Sequence, residues 1–504
     1  MNLWHRVAVA QDDGWDETLQ DLAKRLQAAR SMGGADRLER QRRDGRLDAR
    51  ARVEKLCDPG TFVEFGTLAG DVPADALIAG SGRIDGRSAM VGAEDFTTAA
   101  GSIGPASNAK RHRLAELALA DRIPLVMLLE GAGHRPVDGG YRAPTDTLAQ
   151  VRCSGKVPIV AAVMGPSAGH GALVAPIADF TVMTPHGAIF TAGPPVVRES
   201  LGEEVSKEEL GGPSVALASG LIHNAASDDE DALDQIRRYL SYLPSSAWSY
   251  PPAAPGGEDR GRRATAELGL VIPRDGRRSY DIREVIRILV DGGETLEVQA
   301  RFGSAIVCAL AHIGGQSVAV IANQPMVMAG SIDAAAADKA AHFIAVADSF
   351  HLPLVFLSDN PGMLPGSRSE KEGVLRSGAR MFAAEALATS PKVNLTLRKA
   401  FGFGSMVMSM ISFDGQAGTF AFPGTTLGAM GASAMSRAIG ADQGAAEALR
   451  RGELEASYRS AQRLGFDELI DPSEARNAIL ATIERSLSRR QAAAEPVLRS
   501  AVTP

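Results

Sequence analysis

Apolar residues along the chain fall in short blocks rather than long stripes. The runs 78–82, 88–92, 123–129, 157–163 and Phe180–Met183 are alternating or continuous apolar segments of strand length. Between the second and third lies 107–120, whose Leu114, Leu117 and Leu119 give a partly apolar helical face. Two strands, a helix and a strand in this order predict ββα units on a mostly parallel sheet, an α/β fold. Residues 16–56 are rich in Leu, Ala, Arg and Glu at helical spacing and are broken at Gly33-Gly34, which predicts a surface helical arm. A final amphipathic helix is expected over 472–491, with a loose tail after Gln491.

The segment 244–257 is dense in Pro, Ser and Gly and cannot build a packed element. It divides the chain into an N-terminal domain, 1–250, and a C-terminal domain, 264–504. The two contain the same module. Gly86 aligns with Gly315, an offset of 229, and Ala100-Gly101-Ser102-Ile103 then falls on Ala329-Gly330-Ser331-Ile332. The register holds without a gap to Pro124-Leu125-Val126 over Pro353-Leu354-Val355, and Gly133 falls on Gly362. Further on, Gly169-His170-Gly171 meets Gly402-Phe403-Gly404. Two copies of one fold can face each other across a cleft that receives a Gly-rich turn from each side.

Composition narrows the function classes. Of 504 residues, 45% are hydrophobic and 22% charged, as in ordinary globular proteins. A net charge of −7 is mild for this length and gives no reason to expect nucleic acid or an acidic membrane as partner. The arginine clusters at 37–50 and 260–263 read as solvated faces or linkers. Cys57, Cys153 and Cys308 are widely spaced with no CxxC, which fits a reducing cytoplasm and indicates neither a zinc site nor a disulfide framework. The N-terminal residues do not resemble a signal peptide, and the apolar stretch 157–180 is broken by Pro and Gly, so no membrane span is expected.

Candidate chemistry gathers at glycines. The strand from Pro158 runs into Gly165-Pro-Ser-Ala-Gly-His-Gly171, and the strand from Pro391 runs into Phe401-Gly-Phe-Gly404. Glycine lets backbone approach a ligand. Amides at a helix start can hold an oxygen that gains negative charge. A plain strand-to-helix turn explains either motif alone; its recurrence at matched places favours function. Two strand ends carry an acid followed by glycine or proline, at Glu130-Gly131-Ala132-Gly133-His134-Arg135 and at Asp359-Asn360-Pro361-Gly362. Ligands bind at such ends, and a polar loop cap is an equal reading. No P-loop, HExxH, GxSxG or Rossmann fingerprint occurs. His134 and His170 adjoin the turns, but neither has a carboxylate in evident spacing, which favours structural roles. The chain thus offers backbone donors without a clear nucleophile, metal site or acid–base pair.

These residues resemble the carboxyltransferase (β) subunit of biotin-dependent acyl-CoA carboxylases. The likeness spans roughly 35–490 and includes Glu208-Glu-Leu-Gly-Gly212, Tyr280-Asp-Ile-Arg-Glu284, Ala322-Asn323-Gln324-Pro325 and Asp359-Asn-Pro-Gly-Met-Leu-Pro-Gly366. The resemblance implies two tandem crotonase-like ββα spiral domains. It implies a hexamer, homomeric or mixed, in which the N half of one subunit faces the C half of another. Acyl-CoA would lie mainly on the N half, with the amides of Gly169 and His170 holding its thioester oxygen. Gly131, Ala132, Gly133, Arg135, Gly171 and Met406 would help bind substrate. The amides of Phe403 and Gly404 would hold the ureido oxygen of biotin, with Asn323, Gln324, Pro361, Gly362 and Gly402 around it. The biotin anion would take the α-proton, so no protein base is needed.

This chain departs from the family pattern in three places. It has Ala168-Gly169-His170-Gly171 for Ala-Gly-Gly-Ala, Gly131-Ala-Gly-His-Arg135 for Ser-Gly-Gly-Ala-Arg, and Phe401-Gly-Phe-Gly-Ser405 for Tyr-Gly-Gly-Ala-Tyr. At 170 the backbone donor survives only where a side chain tolerates the local φ. Met406 stands where members vary with acyl chain, which suggests a different acyl pocket. No biotin-attachment or ATP-binding segment is visible, so a biotinylated α subunit is the expected partner and no metal is expected. A decarboxylase or transcarboxylase subunit of the same family, and a non-catalytic paralogue within a mixed complex, remain alternatives. A hydratase of one crotonase module is disfavoured, because 165–173 contains no acid.

Overall fold

The computed structural model describes residues 15–135, 145–254, 256, 259–410, 415–490 and 495–497. The N-terminal residues 1–14 and most of the tail lie outside them, and so do the expectations placed there. The arm forms three helices, α1 (Trp15–Arg30), α2 (Ala35–Arg43) and α3 (Ala49–Leu56). It is not wholly a surface element. Ala49, Arg52, Val53 and Leu56 of α3 are buried, the apolar three in the central core.

The strands of the first half are β1 (Val63–Phe65), β2 (Leu77–Ile84), β3 (Arg87–Glu94), β4 (Leu125–Leu129), β5 (Ile159–Val163), β6 (Pro166–Ala168), β7 (Phe180–Met183), β8 (Ala188–Phe190) and β9 (Asn224–Ala225). Those of the second are β10 (Thr295–Val298), β11 (Ile306–Ile313), β12 (Gln316–Asn323), β13 (Leu354–Asn360), β14 (Lys392–Phe401), β15 (Gln416–Ala421), β16 (Thr426–Gly428) and β17 (Glu468–Leu469). Among the described residues they form a seven-stranded sheet in the order β1-β2-β3-β4-β5-β7-β9. An eight-stranded sheet runs β10-β11-β12-β13-β14-β15-β17 with β16 beside β14, and β6 pairs with β8. The first strands pair antiparallel and the rest parallel, so both large sheets are mixed.

The repeat is visible in local geometry. Hairpin β2–β3 turns at Asp85-Gly86 and hairpin β11–β12 at Gly314-Gly315, all four residues with positive φ. Two-residue turns of this kind match the twist of the flanking strands. Asp58 accepts from the amides of Asp85 and Gly86 at 3.0 and 2.8 Å. Asp291 does the same for Gly314 and Gly315 at 3.0 and 2.7 Å. After each hairpin comes a helix, α4 (Pro105–Asp121) in the first half and Ala334–Ser349 in the second. The bridge Ile103↔His134 recurs as Ile332↔Met363.

Alternate residues explain why the central strands are apolar throughout. In β4, Val126 and Leu128 join the central cluster, whereas Leu125, Met127 and Leu129 join the outer one. In β13, Leu354 and Phe356 face the same central cluster, and Val355 and Leu357 face outward into another. A parallel sheet covered on both faces needs such runs. The two sheets therefore share one packed core inside the chain. Asn224 ties their edges, donating to the Glu297 carbonyl (2.9 Å) and accepting from the Gln299 amide (3.2 Å).

The solvated-face expectation holds for Arg37, Arg40, Arg42, Arg43 and Arg262, which are exposed, and fails for the arginines that reach inward. Arg46 bonds Glu130 and the Met164 carbonyl, and Arg50 forms a two-pronged pair with Glu64. Arg263 holds Asp259 and the carbonyls of Ile288 and Val290. Guanidinium groups here satisfy loop carbonyls and, at Glu130 and Glu64, acids that packing has largely removed from water.

Candidate functional site

The two Gly-rich turns are built alike. Buried β5 leads through β6 to Gly169, with φ 57°, and a 3-10 turn spans Gly169–Leu173. Strand β14 leads to Gly402, with φ 54°, and a short helix, Gly402–Val407. The left-handed residue is thus the first glycine of each turn. Neither His170 nor Phe403 is among the positive-φ residues, so a side chain at either costs no backbone strain. The first amides of a helical turn have no partner within it. Among the described residues none accepts a hydrogen bond from the amides of Gly169, His170, Phe403 or Gly404. Arg111 draws the Gly171 carbonyl down into the core, its Nη2 donating at 3.2 Å.

Loop 131–135 is laced to this turn. The Ala168 amide donates to the Gly131 carbonyl (3.0 Å), the Ala132 amide to Ala100 (3.0 Å) and the Ile103 amide to Gly133 (2.7 Å). Gly133, at φ 85°, passes so close to the Ala168 carbonyl that a Cβ there would stand 3.0 Å from it. Ala132 is exposed, whereas Gly131 and Gly171 are buried. Arg135 does not reach outward. Its Nη1 pairs with buried Asp75 at 2.6 Å, and its other nitrogens bond Ser102.

The second half repeats this plan. The Ile332 amide donates to the Gly362 carbonyl at 3.1 Å, and Gly362 has φ 118°. Gly404 packs so tightly on Asn360 and Gly362 that a Cβ would collide with both. Pro361 and Met406 are exposed beside it. Asn323 and Gln324 are buried behind the loop. Asn323 Oδ1 accepts from the Asp359 amide (3.1 Å) and Asn360 Nδ2 (3.0 Å), and Gln324 Nε2 donates to Asp281 (2.6 Å). Their polar atoms shape the strand end from within.

Glu130 and Asp359 are fully buried. Glu130 pairs with Arg52 at 2.6 Å and with Arg46; Asp359 pairs with Arg398 at 2.7 Å and accepts from the Tyr280 hydroxyl at 2.8 Å. The polar-cap reading holds for both. A buried carboxylate needs partners, and arginine supplies them here.

One pairing is invisible to any local reading of the chain. His170 Nε2 lies 2.7 Å from Asp146 Oδ1, and Thr147 Oγ1 lies 3.2 Å from the same nitrogen. Asp146 opens the helix α5 (Asp146–Cys153) and is fully buried, held by Arg111 at 2.9 Å and Asn108 at 2.8 Å. Burial alone would raise its pKa. The hydrogen bond to His170 and the charge of Arg111 outweigh this and hold it well below the carboxylate range. The acid missing from 165–173 therefore arrives 24 residues earlier in the chain, which no local spacing rule detects. His134 stacks against His170, ring centroids 4.7 Å apart. Burial first, then the neighbouring His170, push the His134 pKa down.

Beside this turn lies a cavity of about 690 Å³ lined by Gly169, His170, Leu173, Phe190, Val197 and Leu221 among others. Phe403, Gly404 and Met406 do not line it. Among the described residues no group of three or more His, Cys, Asp or Glu is placed to hold a metal ion, and no helix is long and apolar enough to cross a membrane.

A protein of two mixed α/β sheets, each ending a parallel strand in a glycine-hinged turn with unclaimed amides, has the equipment to hold developing oxyanions. A family model described as the carboxyl transferase domain matches residues 40–498. Over 501 residues the chain is 35% identical to the methylmalonyl-CoA carboxyltransferase 12S subunit of Propionibacterium freudenreichii subsp. shermanii, covering 94% of this chain and 95% of that one. It is 35% identical over 516 residues to the propionyl-CoA carboxylase beta chain of Saccharopolyspora erythraea, covering 94% of each. A transcarboxylase 12S crystal structure, a hexamer assembly with hydrolysed methylmalonyl-coenzyme A bound, matches with a TM-score of 0.88 at 34% identity, covering 96% of this chain and 98% of that one. The chain belongs to the carboxyl transferase family, as a subunit of the biotin-dependent acyl-CoA carboxyltransferase type, and it is an enzyme of carboxyl transfer.

Proposed function

We propose that this chain transfers a carboxyl group between biotin borne by a partner subunit and the α-carbon of an acyl-CoA. The observation that carries the reading is the pair of matched turns, each hinged on a left-handed glycine and each with amides that no described residue accepts from. The amides of Gly169 and His170 hold the thioester oxygen as it gains charge. Those of Phe403 and Gly404 hold the ureido oxygen, and the tight packing of Gly404 on Gly362 keeps that stretch open to an approaching group. When bound, biotin supplies the carboxyl group. Gly131, Ala132, Gly133, Arg135 and Gly171 brace the acyl side. Asn323, Gln324, Pro361, Gly362 and Gly402 shape the biotin side, and Met406 touches the acyl chain. Preorganised donors of this kind typically contribute about 10²- to 10³-fold each.

The halves are read as two crotonase-like ββα spiral domains, 1–250 and 264–504. The cavity beside Gly169 is lined by first-half residues, without the second-half turn. A second copy then brings its own Phe403 turn to that mouth, as in a hexamer. Three buried free cysteines suit a reducing cytoplasm.

The test is carboxyl transfer from malonyl-CoA or methylmalonyl-CoA to free biotin by the purified chain. Transfer is expected, together with a blank streptavidin blot of the chain and co-purification of a biotinylated partner from its host. A folded oligomer without any transfer overturns the catalytic reading and leaves a structural subunit.

A further inference from the structure

The transfer scheme uses the backbone of His170 and leaves its imidazole idle. We propose that His170, oriented by Asp146, donates a proton to the α-carbon of a bound enolate, so that this chain decarboxylates a malonyl-type (2-carboxyacyl) CoA thioester without biotin. The proposal rests on the reading that the Gly169–His170 turn holds an acyl thioester.

Three observations meet at this imidazole. First, it belongs to the residue that supplies one of the oxyanion donors, and it lines the adjacent cavity. Second, a fully buried carboxylate is aimed at it, with Asp146 Oδ1 2.7 Å from Nε2. An ionised carboxylate only accepts, so Nε2 carries its hydrogen toward Asp146. Nδ1 is left without a hydrogen-bond partner among the described residues. Third, Asp146 is held from behind by Arg111, which also pairs with Glu94 at 2.5 Å, and by Asn108. An imidazole that merely filled space would need no charged partner beneath it, and burying that charge is costly. A carboxylate that fixes the tautomer and orientation of the ring is the usual support of an acid–base histidine.

The step balances with this chain alone. The bond between the α-carbon and the carboxylate breaks, its electron pair moves into the thioester, and CO2 leaves. The amides of Gly169 and His170 hold the enolate oxygen. The enolate carbon then takes the proton from Nδ1 of the imidazolium, forming the new C–H bond. The imidazole regains a proton from water.

The experiment gives the purified chain methylmalonyl-CoA in D2O without biotin, and separately with free biotin as carboxyl acceptor. Propionyl-CoA is expected without biotin, with one α-deuterium in a single configuration. In His170→Ala and His170→Gln the ratio of biotin-free decarboxylation to carboxyl transfer is expected to fall about 100-fold, and the residual product to be racemic at the α-carbon. Thermal melts confirm that the variants fold. Transfer to biotin by the wild type without biotin-free decarboxylation overturns this proposal and leaves the acyl site standing. Absence of both activities from folded protein overturns both. An equal loss of both activities in His170→Gln, with the product still of one configuration, makes His170 a binding residue and also overturns the proposal.

Discussion

Gly169 and Gly402 share one backbone conformation, with φ of 57° and 54°, and each faces a carbonyl of the following segment. A Cβ on Gly169 would stand 3.5 Å from the Thr191 oxygen, and one on Gly402 would stand 3.0 Å from that of Ala429. Left-handed backbone costs an L-residue roughly 1–2 kcal/mol. Gly169→Ala is expected to lower carboxyl transfer about 10²-fold with a modest loss of stability. Gly402→Ala, which also meets a tighter contact, should lose more stability. Transfer assays and denaturant melts on both variants check this; equal melts and unchanged rates would refute it.

Arg52 sits between two acids, Glu130 at 2.6 Å and Asp229 at 3.0 Å, with all three buried. Removing one partner of a buried pair leaves an uncompensated charge. Arg52→Met is expected to cost about 3–5 kcal/mol of unfolding free energy. A loss below about 1 kcal/mol would mean that Arg46 alone satisfies Glu130.

Burial pushes the pKa of His223 from its ordinary 6.5 down to about 3. Its Nδ1 accepts from the Thr181 amide at 3.0 Å. Between these two values the unfolded chain binds more protons than the folded one. Stability is therefore full above pH 6.5 and is lost as pH falls toward 3, at up to about 1.4 kcal/mol per pH unit from this group. His223→Asn keeps an acceptor for Thr181 and does not titrate. Urea titrations from pH 7 to pH 4 should show a shallower acid loss in the variant; parallel curves would exclude His223 as a contributor.

Met406 is exposed beside the second-half turn, 42% accessible, so substitution there should disturb function before folding. Met406→Asp is expected to reorder activity across a panel of acyl-CoAs while leaving the melting temperature within a few degrees. The same ranking of substrates would remove Met406 from the acyl site.

Much of the architecture was legible in the chain because it rests on short-range physics. The repeat and the Gly-rich turns at 169 and 402 both depend on residues adjacent in sequence. Continuous apolar runs marked the strands because both faces of each sheet are covered. Strand Phe180–Met183 falls on its predicted bounds, and helix Pro105–Asp121 runs two residues beyond its predicted start and one beyond its end.

What the sequence determined by itself is the duplicated ββα plan and the paired backbone donors, since glycine conformations and apolar periodicity are written locally. Only the tertiary structure decided which charges meet. Arg46 and Arg50 look solvated in sequence, yet packing of the arm turns them toward Glu130 and Glu64. Asp146 meets His170 only because α5 packs against the turn. Such pairings depend on desolvation and distance, which folding sets across long stretches of chain.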